Sequence, residues 1–220
     1  MLAPSDIQAL SLTLQLALVS TLVLIVLGTP LAWWLSQTES RVRPLVDALV
    51  ALPLVLPPTV LGFYLLLVAG VDGVPGLAGW AFTFKGLVLG SVIYSLPFVV
   101  QPLRDAFQSI GKRPLEVAAT LGAGPMDRFF SIAVPQAGKG FLTAAALGFA
   151  HTLGEFGVVL MIGGNIPGET RVASIAIYEH VETMNYAGAH ALSITLVVVS
   201  LVLLTAVYAL RRRRGGVMPV

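Results

Sequence analysis

No cysteine occurs among the 220 residues, which excludes disulfides, thiol chemistry and cysteine-ligated metals and leaves the redox compartment open. Charge is scarce too: Asp, Glu, Lys and Arg make up 11% of the chain, against 56% apolar residues and a mean hydropathy of +0.89. A chain with so little charge belongs in a membrane. The net charge of +2 gives no support for nucleic-acid binding, although the isoelectric point is near 9.2. A phosphate-cradling Gly-x-x-x-x-Gly-Lys-Ser/Thr loop is also missing, since Gly111-Lys112 and Gly138-Lys139 lead into Arg113 and Gly140. ATP binding by that route is excluded. There is no His-Glu-x-x-His motif and no detectable internal repeat. We therefore expect no catalytic residue, no metal and no cofactor.

What is present is helical and apolar. A span needs about 20 mostly apolar residues to cross a hydrocarbon core of roughly 30 Å. Five stretches qualify, near 8–35, 45–70, 86–103, 140–163 and 187–210, within one transmembrane domain over 1–220. The first is too long for a signal-peptide core and is led by Pro4, Ser5 and Asp6 rather than by basic residues, so it is expected to stay attached. The fold class expected is an all-α integral membrane protein of five transmembrane helices.

Basic residues set the orientation, because Lys and Arg accumulate in cytoplasmic loops. Arg41 and Arg43 follow the first span, Arg104, Lys112, Arg113, Arg128 and Lys139 lie between the third and fourth, and Arg211 to Arg214 follow the fifth; only Lys85 and Arg171 fall opposite. The N-terminus is thus expected outside and the C-terminus in the cytoplasm, with the terminal basic run as a stop-transfer anchor. Pro53, Pro57 and Pro58 are expected to break the second span and Pro97 and Pro102 the third, while Gly154, Gly157, Gly163 and Gly164 thin the fourth. A short helix is expected outside around Ala173 to Glu182.

The largest cytoplasmic connection, 104–139, contains "EVAATLGAGPMDRFFSIAVP". Pro114 suits a helix first turn, and Leu115, Ala118, Ala119 and Gly122 then recur on one small-residue face. "GAGP" at 122–125 ends that helix and a second short one follows. A small apolar face with a glycine exit suits entry into a groove of another protein.

The same residues carry a family resemblance. Permease subunits of ABC importers bear a motif of Glu-Ala-Ala, three residues, Gly, nine residues, then Ile-x-Leu-Pro, and Glu116, Val117, Ala118, Gly122, Ile132, Val134 and Pro135 occupy those places. Val117 and Val134 depart from it by apolar exchange. Together with "LPLVLPPTVLGFYLLL" at 52–67 and "FAHTLGEFGVVLMIGGNIPGETR" at 149–171, the chain resembles the molybdate/tungstate/sulfate group of these permeases, the molybdate permeases above all. The resemblance implies a type I importer permease fold whose coupling helix, with Glu116, Val117, Ala118, Ala119, Leu121, Gly122 and Ala123, sits in a cleft of a separate ATPase. It further implies a homodimer with two ATPase subunits and one external oxyanion-binding protein, importing molybdate by alternating access, with tungstate or sulfate as alternative substrates.

Polar residues inside spans are the candidates for a pathway. Ten residues at 1.5 Å each put His151 about 15 Å deep, near the bilayer midplane, with Glu155 a turn further along the same face. Ionisable groups there cost on the order of 2.5–3.5 kcal/mol on insertion scales and should face a bundle interior or a wet route. A substrate-ligand role for Glu155 conflicts with the repulsion between its carboxylate and a dianion. The pair can instead hydrogen-bond each other or neighbouring spans and shape a pathway or gate, make a purely structural contact, or relay protons in an ion-coupled transporter. Thr152, Gln101 and Ser193 complete the pathway candidates, with Gln15 and Ser95 polar enough to join them. No Lys or Arg lies in the middle of a span, so the route should hold its anion weakly.

Overall fold

The structure, a computed structural model, describes residues 2–213; Met1 and 214–220, including Arg214 of the basic run, lie outside the described residues. The described chain is helical: α1 Pro4–Gln37, α2 Arg43–Val55, α3 Pro58–Ala69, α4 Phe84–Ile110, α5 Arg113–Thr120, α6 Pro125–Arg128, a π-helical turn Phe129–Ala133, α7 Val134–Gln136, α8 Gly138–Leu153, α9 Gly157–Gly163, α10 Ala173–Glu182 and α11 Tyr186–Arg213. By length and composition α1, α4 and α11 can each cross a bilayer.

The other two apolar stretches are bent pairs. Helices α2 and α3 meet at 111°, and α8 and α9 at 63°. The first corner follows from sequence: Leu56 and Pro57 each precede a proline, and both take extended backbone with ψ of 137° and 134°. So the stretch over 45–70 is broken where Pro57 and Pro58 were expected to break it. Pro97 and Pro102, by contrast, do not interrupt α4, and Pro53 does not interrupt α2. A proline removes one N–H, but neighbouring helices and local adjustments re-satisfy the freed carbonyls within a bundle. Helix α4 also runs on to Ile110, so the irregular connection begins at Gly111 rather than at Arg104.

Two cores organise the bundle, with α1 and α4 passing through both. One gathers Leu24, Leu35, Val99, Leu103, Phe107 and Ala133, and the other gathers Leu16, Leu65, Leu87, Val158, Ile162 and Ile175. Close approach depends on small residues. A Cβ on Gly62 of α3 would stand 2.7 Å from the Cβ of Met161 and 3.2 Å from the Cα of Val158, which locks α3 onto α9.

At the first core's end, Arg104 bridges to Asp47 at 2.8 Å and Lys112 to Glu39 at 2.9 Å. At the opposite end, Asp6 of α1 accepts from Ala3 N at 3.0 Å and meets His180 Nε2 of α10 at 2.9 Å. Arg171 and Glu179 pair there at 3.2 Å.

Candidate functional site

Two places bring the candidate residues together. The first is the surface of α5. Aromatic packing seats the segment that follows it: Trp33 of α1 lies 5.2 Å from Phe107 and 5.3 Å from Phe129 between ring centroids. Leu115 and Ala118 turn inward, Ala118 to 9% exposure, whereas Val117 and Leu121 stand out at 55% and 83%. Glu116, Ala119 and Gly122 are also exposed, and Ala123 is half-buried. The small-residue face read from sequence therefore divides. Its Leu115 and Ala118 anchor α5 to its own chain, because an eight-residue helix needs such contacts to stay folded. Glu116, Val117, Ala119 and Leu121 are what a partner would meet, and Glu116 also lines a pocket of about 290 Å³ with Trp33, Gln37, Lys112 and Arg128.

The exit of α5 is a Schellman turn. Ala123 N donates to Ala118 O and Gly122 N to Ala119 O, both at 3.0 Å, with Gly122 at φ +89°. Glycine is required at Gly122 for its backbone, since a Cβ there would meet nothing within 4 Å.

The second place is a cavity of about 630 Å³ where the two bent pairs meet. Pro58 and Thr59 from the start of α3, Tyr94 from α4, His151 from α8, and Gly154 to Gly157 from the α8–α9 break line it. Because α8 ends at Leu153, Glu155 stands in the break and not a turn further on one helix face. Its carbonyl accepts from Ser174 Oγ of α10 at 2.6 Å, which fixes the break.

His151 and Glu155 do not bond to each other. The Nδ1 of His151 meets Ser95 Oγ at 2.8 Å, Ser95 meets Thr152 Oγ1 at 3.2 Å, and Thr152 donates to Gly148 O at 3.0 Å. Phe98 stacks on the imidazole at 3.9 Å between centroids. Glu155 is 4% exposed, and neither carboxyl oxygen has a hydrogen-bond partner among the described residues; Ser91 Oγ lies alongside, equally unpartnered. Thr152 is buried behind Ser95, and neither Gln101 nor Ser193 lines this cavity. Gln15 borders a separate pocket with Gln8 and Gly168. Sequence reading missed Thr59 and Tyr94; the paired prolines at 57–58 were the signal that a new helix starts there.

Comparison with known proteins decides what this arrangement belongs to. Residues 24–216 match the family model described as the inner membrane component of binding-protein-dependent transport systems. The chain belongs to this family. The molybdenum transport system permease protein ModB of Azotobacter vinelandii is 57% identical over 222 residues, covering 98% of both chains. The sulfate transport system permease protein CysT of Salmonella typhimurium is 33% identical over 218 residues, 96% of this chain and 79% of that one. The fold matches a bacterial ABC transporter involved in import of the acidic polysaccharide alginate, with TM-score 0.77 and 20% identity over 96% of this chain and 80% of that one. This permease is thus an all-α inner membrane subunit of the ABC importer type, and is not itself the catalytic subunit.

Proposed function

We propose that this permease carries molybdate inward by alternating access, as one of two identical copies working with two cytoplasmic ATPase subunits and an external binding protein. The observation that carries the reading is the 57% identity to a molybdenum permease over 98% of both chains. The site supports it in two ways. Val117 and Leu121 present an exposed apolar surface beside Glu116, at the end of the bundle where Lys112, Arg113 and Arg128 gather. Glu116, Val117, Ala119, Leu121 and Gly122 then form the docking face, Ala118 and Ala123 hold it in shape, and the N-terminus lies outside. The cavity, with His151 and Glu155 among its lining residues, offers hydroxyl, phenol and imidazole groups but, among the described residues, no Lys or Arg. Weak holding suits release of an anion that a binding protein has already captured.

Sulfate is the second reading, favoured by the match to CysT. The deciding experiment is ATP-driven uptake of labelled molybdate by the reconstituted complex, with tungstate and sulfate as competitors. Crosslinking from Leu121→Cys, the most exposed docking position, should capture an ATPase subunit. No ATP-dependent uptake of any of the three anions would overturn the reading.

A further inference from the structure

Helix α11 is held to the bundle at one end. Its buried members among the described residues are Ala189 and Leu192, near its start, and Leu192 clusters there with Ala9 of α1 and Ala176 of α10. From Ser193 to Val207 every residue is at least partly exposed. The helix therefore stands off from α1 and α8 and leaves a groove of about 420 Å³, with Leu22, Leu142, Phe149, Leu153, Leu204 and Val207 in its walls. Its polar side chains are Thr21 and Ser200, and the Thr21 hydroxyl donates to Ala17 O at 2.6 Å.

The groove's chemistry, direction, length and charge together say what fills it. Water finds almost nothing to bond to along these walls, so the filling is apolar. On α8 the lining residues Leu142, Ala146, Phe149 and Leu153 recur at helical spacing, while His151, two residues from both Phe149 and Leu153, lies about 200° round the helix. The groove thus faces away from the His151 cavity. From Leu142 to Leu153 is eleven residues, about 16 Å at 1.5 Å each, against roughly 30 Å for the whole hydrocarbon core. A span of a second copy would need a face running through the whole core, whereas one acyl chain occupies one leaflet. Lys139 stands exposed one turn before Leu142, and Arg211 follows Val207 by four residues along α11. An apolar slot half a membrane long, basic at the end nearest the membrane surface, matches an anionic phospholipid.

We propose that this groove seats one acyl chain of an anionic phospholipid, with the headgroup at Lys139 and the basic end of α11. On the orientation taken above the lipid belongs to the cytoplasmic leaflet; the site is defined by the groove and stands whichever way that end faces. Headgroup attraction supplies the preference, because an acyl chain gains little by leaving other lipid tails for leucine side chains. The seated chain fills the gap between α8 and α11 and packs the face of α8 opposite His151.

The test uses the full-length permease in lipid nanodiscs with phosphatidylglycerol or phosphatidylcholine carrying a diazirine in the acyl chain, the adducts being mapped by mass spectrometry after illumination. Phosphatidylglycerol should label Phe149, Leu153 and Leu204 more than the exposed Val26, Val197 and Val202, and several times more than phosphatidylcholine does. Lys139→Gln should weaken retention of phosphatidylglycerol roughly fivefold, read by native mass spectrometry, and leave phosphatidylcholine unchanged. Ala146→Phe, which fills the groove, should remove the tightly held lipid without changing the number of copies in the particle. Even labelling of groove and outer surface, equal labelling by the two lipids, or a Lys139→Gln variant that retains phosphatidylglycerol as the wild type does overturns the proposal. So does an Ala146→Phe variant that separates a dimer into monomers, which would assign the groove to a second copy. If Ala146→Phe does not fold, the wild-type labelling and the Lys139→Gln titration decide alone.

Discussion

Replacing Gly122 tests the docking surface through its backbone alone. The residue sits at φ +89°, in the left-handed region, and a Cβ there would meet nothing within 4 Å. Any cost is therefore conformational, about 1–2 kcal/mol for an L-residue without local hydrogen-bonding help. The Schellman turn can relieve that strain only by giving up the Ala123-to-Ala118 and Gly122-to-Ala119 bonds, which set the direction in which the chain leaves α5. Docking that requires the native turn must restore it, so affinity for the ATPase should fall by up to a factor of about 5–30. Gly122→Ala should show most of this loss and Gly122→Asn less, because asparagine tolerates the left-handed region. Gly124→Ala is the control: Gly124 lies at φ −69° with nothing within 4 Å of its would-be Cβ, and it should be neutral. The assay is titration of the ATPase subunit onto permease in lipid nanodiscs. Equal losses from Gly122→Ala and Gly124→Ala, or a larger loss from Asn than from Ala, would refute the argument from backbone conformation.

Three further outcomes follow from the geometry. Gly62→Val should destabilise the permease by about 1–3 kcal/mol through overpacking against Met161 and Val158, read as a lowered melting temperature in detergent. Ser95→Ala leaves His151 Nδ1 without its partner and should cost about 1–3 kcal/mol in the same assay, while an alanine at exposed Thr120 changes little. The hydrogen bond between Lys112 and Glu39 lowers the Glu39 carboxyl from its ordinary range and raises the Lys112 ammonium. Glu39 thus contributes above the ordinary carboxylate range and loses its contribution as pH falls through the lowered value; Lys112 contributes below its ordinary range and loses it as pH rises through the raised one. Both groups are fully exposed, so melting curves of Glu39→Ala and wild type should nearly coincide at physiological salt, and any difference at low salt should vanish on adding salt.

Much of the fold was legible because apolar length is a one-dimensional signal. Helix α10 fell where its sequence suggested, at Ala173–Glu182, and so did the glycine stop at 122. The prolines were harder to read. Pro97 and Pro102 sit inside a continuous helix, whereas Pro57 and Pro58, adjacent to each other, force two successive extended residues and a corner. What separates these cases is that two adjacent prolines act on successive residues, whereas a single proline can be carried within a helix. The inward turn of Ala118 and the position of Glu155 in a break depend on tertiary contacts, the Ser174 hydroxyl being one that sets the latter.

The cavity and the docking surface are joined by the helices that serve both. Tyr94 and Ser95 stand on α4 and His151 on α8; α4 reaches α5 through Gly111 and Lys112 alone, and α8 begins two residues after α7. Fifteen residues of α4 separate Ser95 from Ile110, roughly 22 Å of continuous helix. A displacement of α5 would therefore act on the ends of both helices that carry the imidazole and its serine. The opposite wall, Pro58 and Thr59 of α3 with Leu160 and Met161 of α9, lies beyond the two breaks, held together where Gly62 meets Met161. Rotation at the break of 154–156 would have to shift α9 against α4, where a Cβ on Gly90 would stand 3.1 Å from Val158 and 3.2 Å from Ile162. Because Glu155 stands in that break, movement there also changes which groups its carboxyl faces.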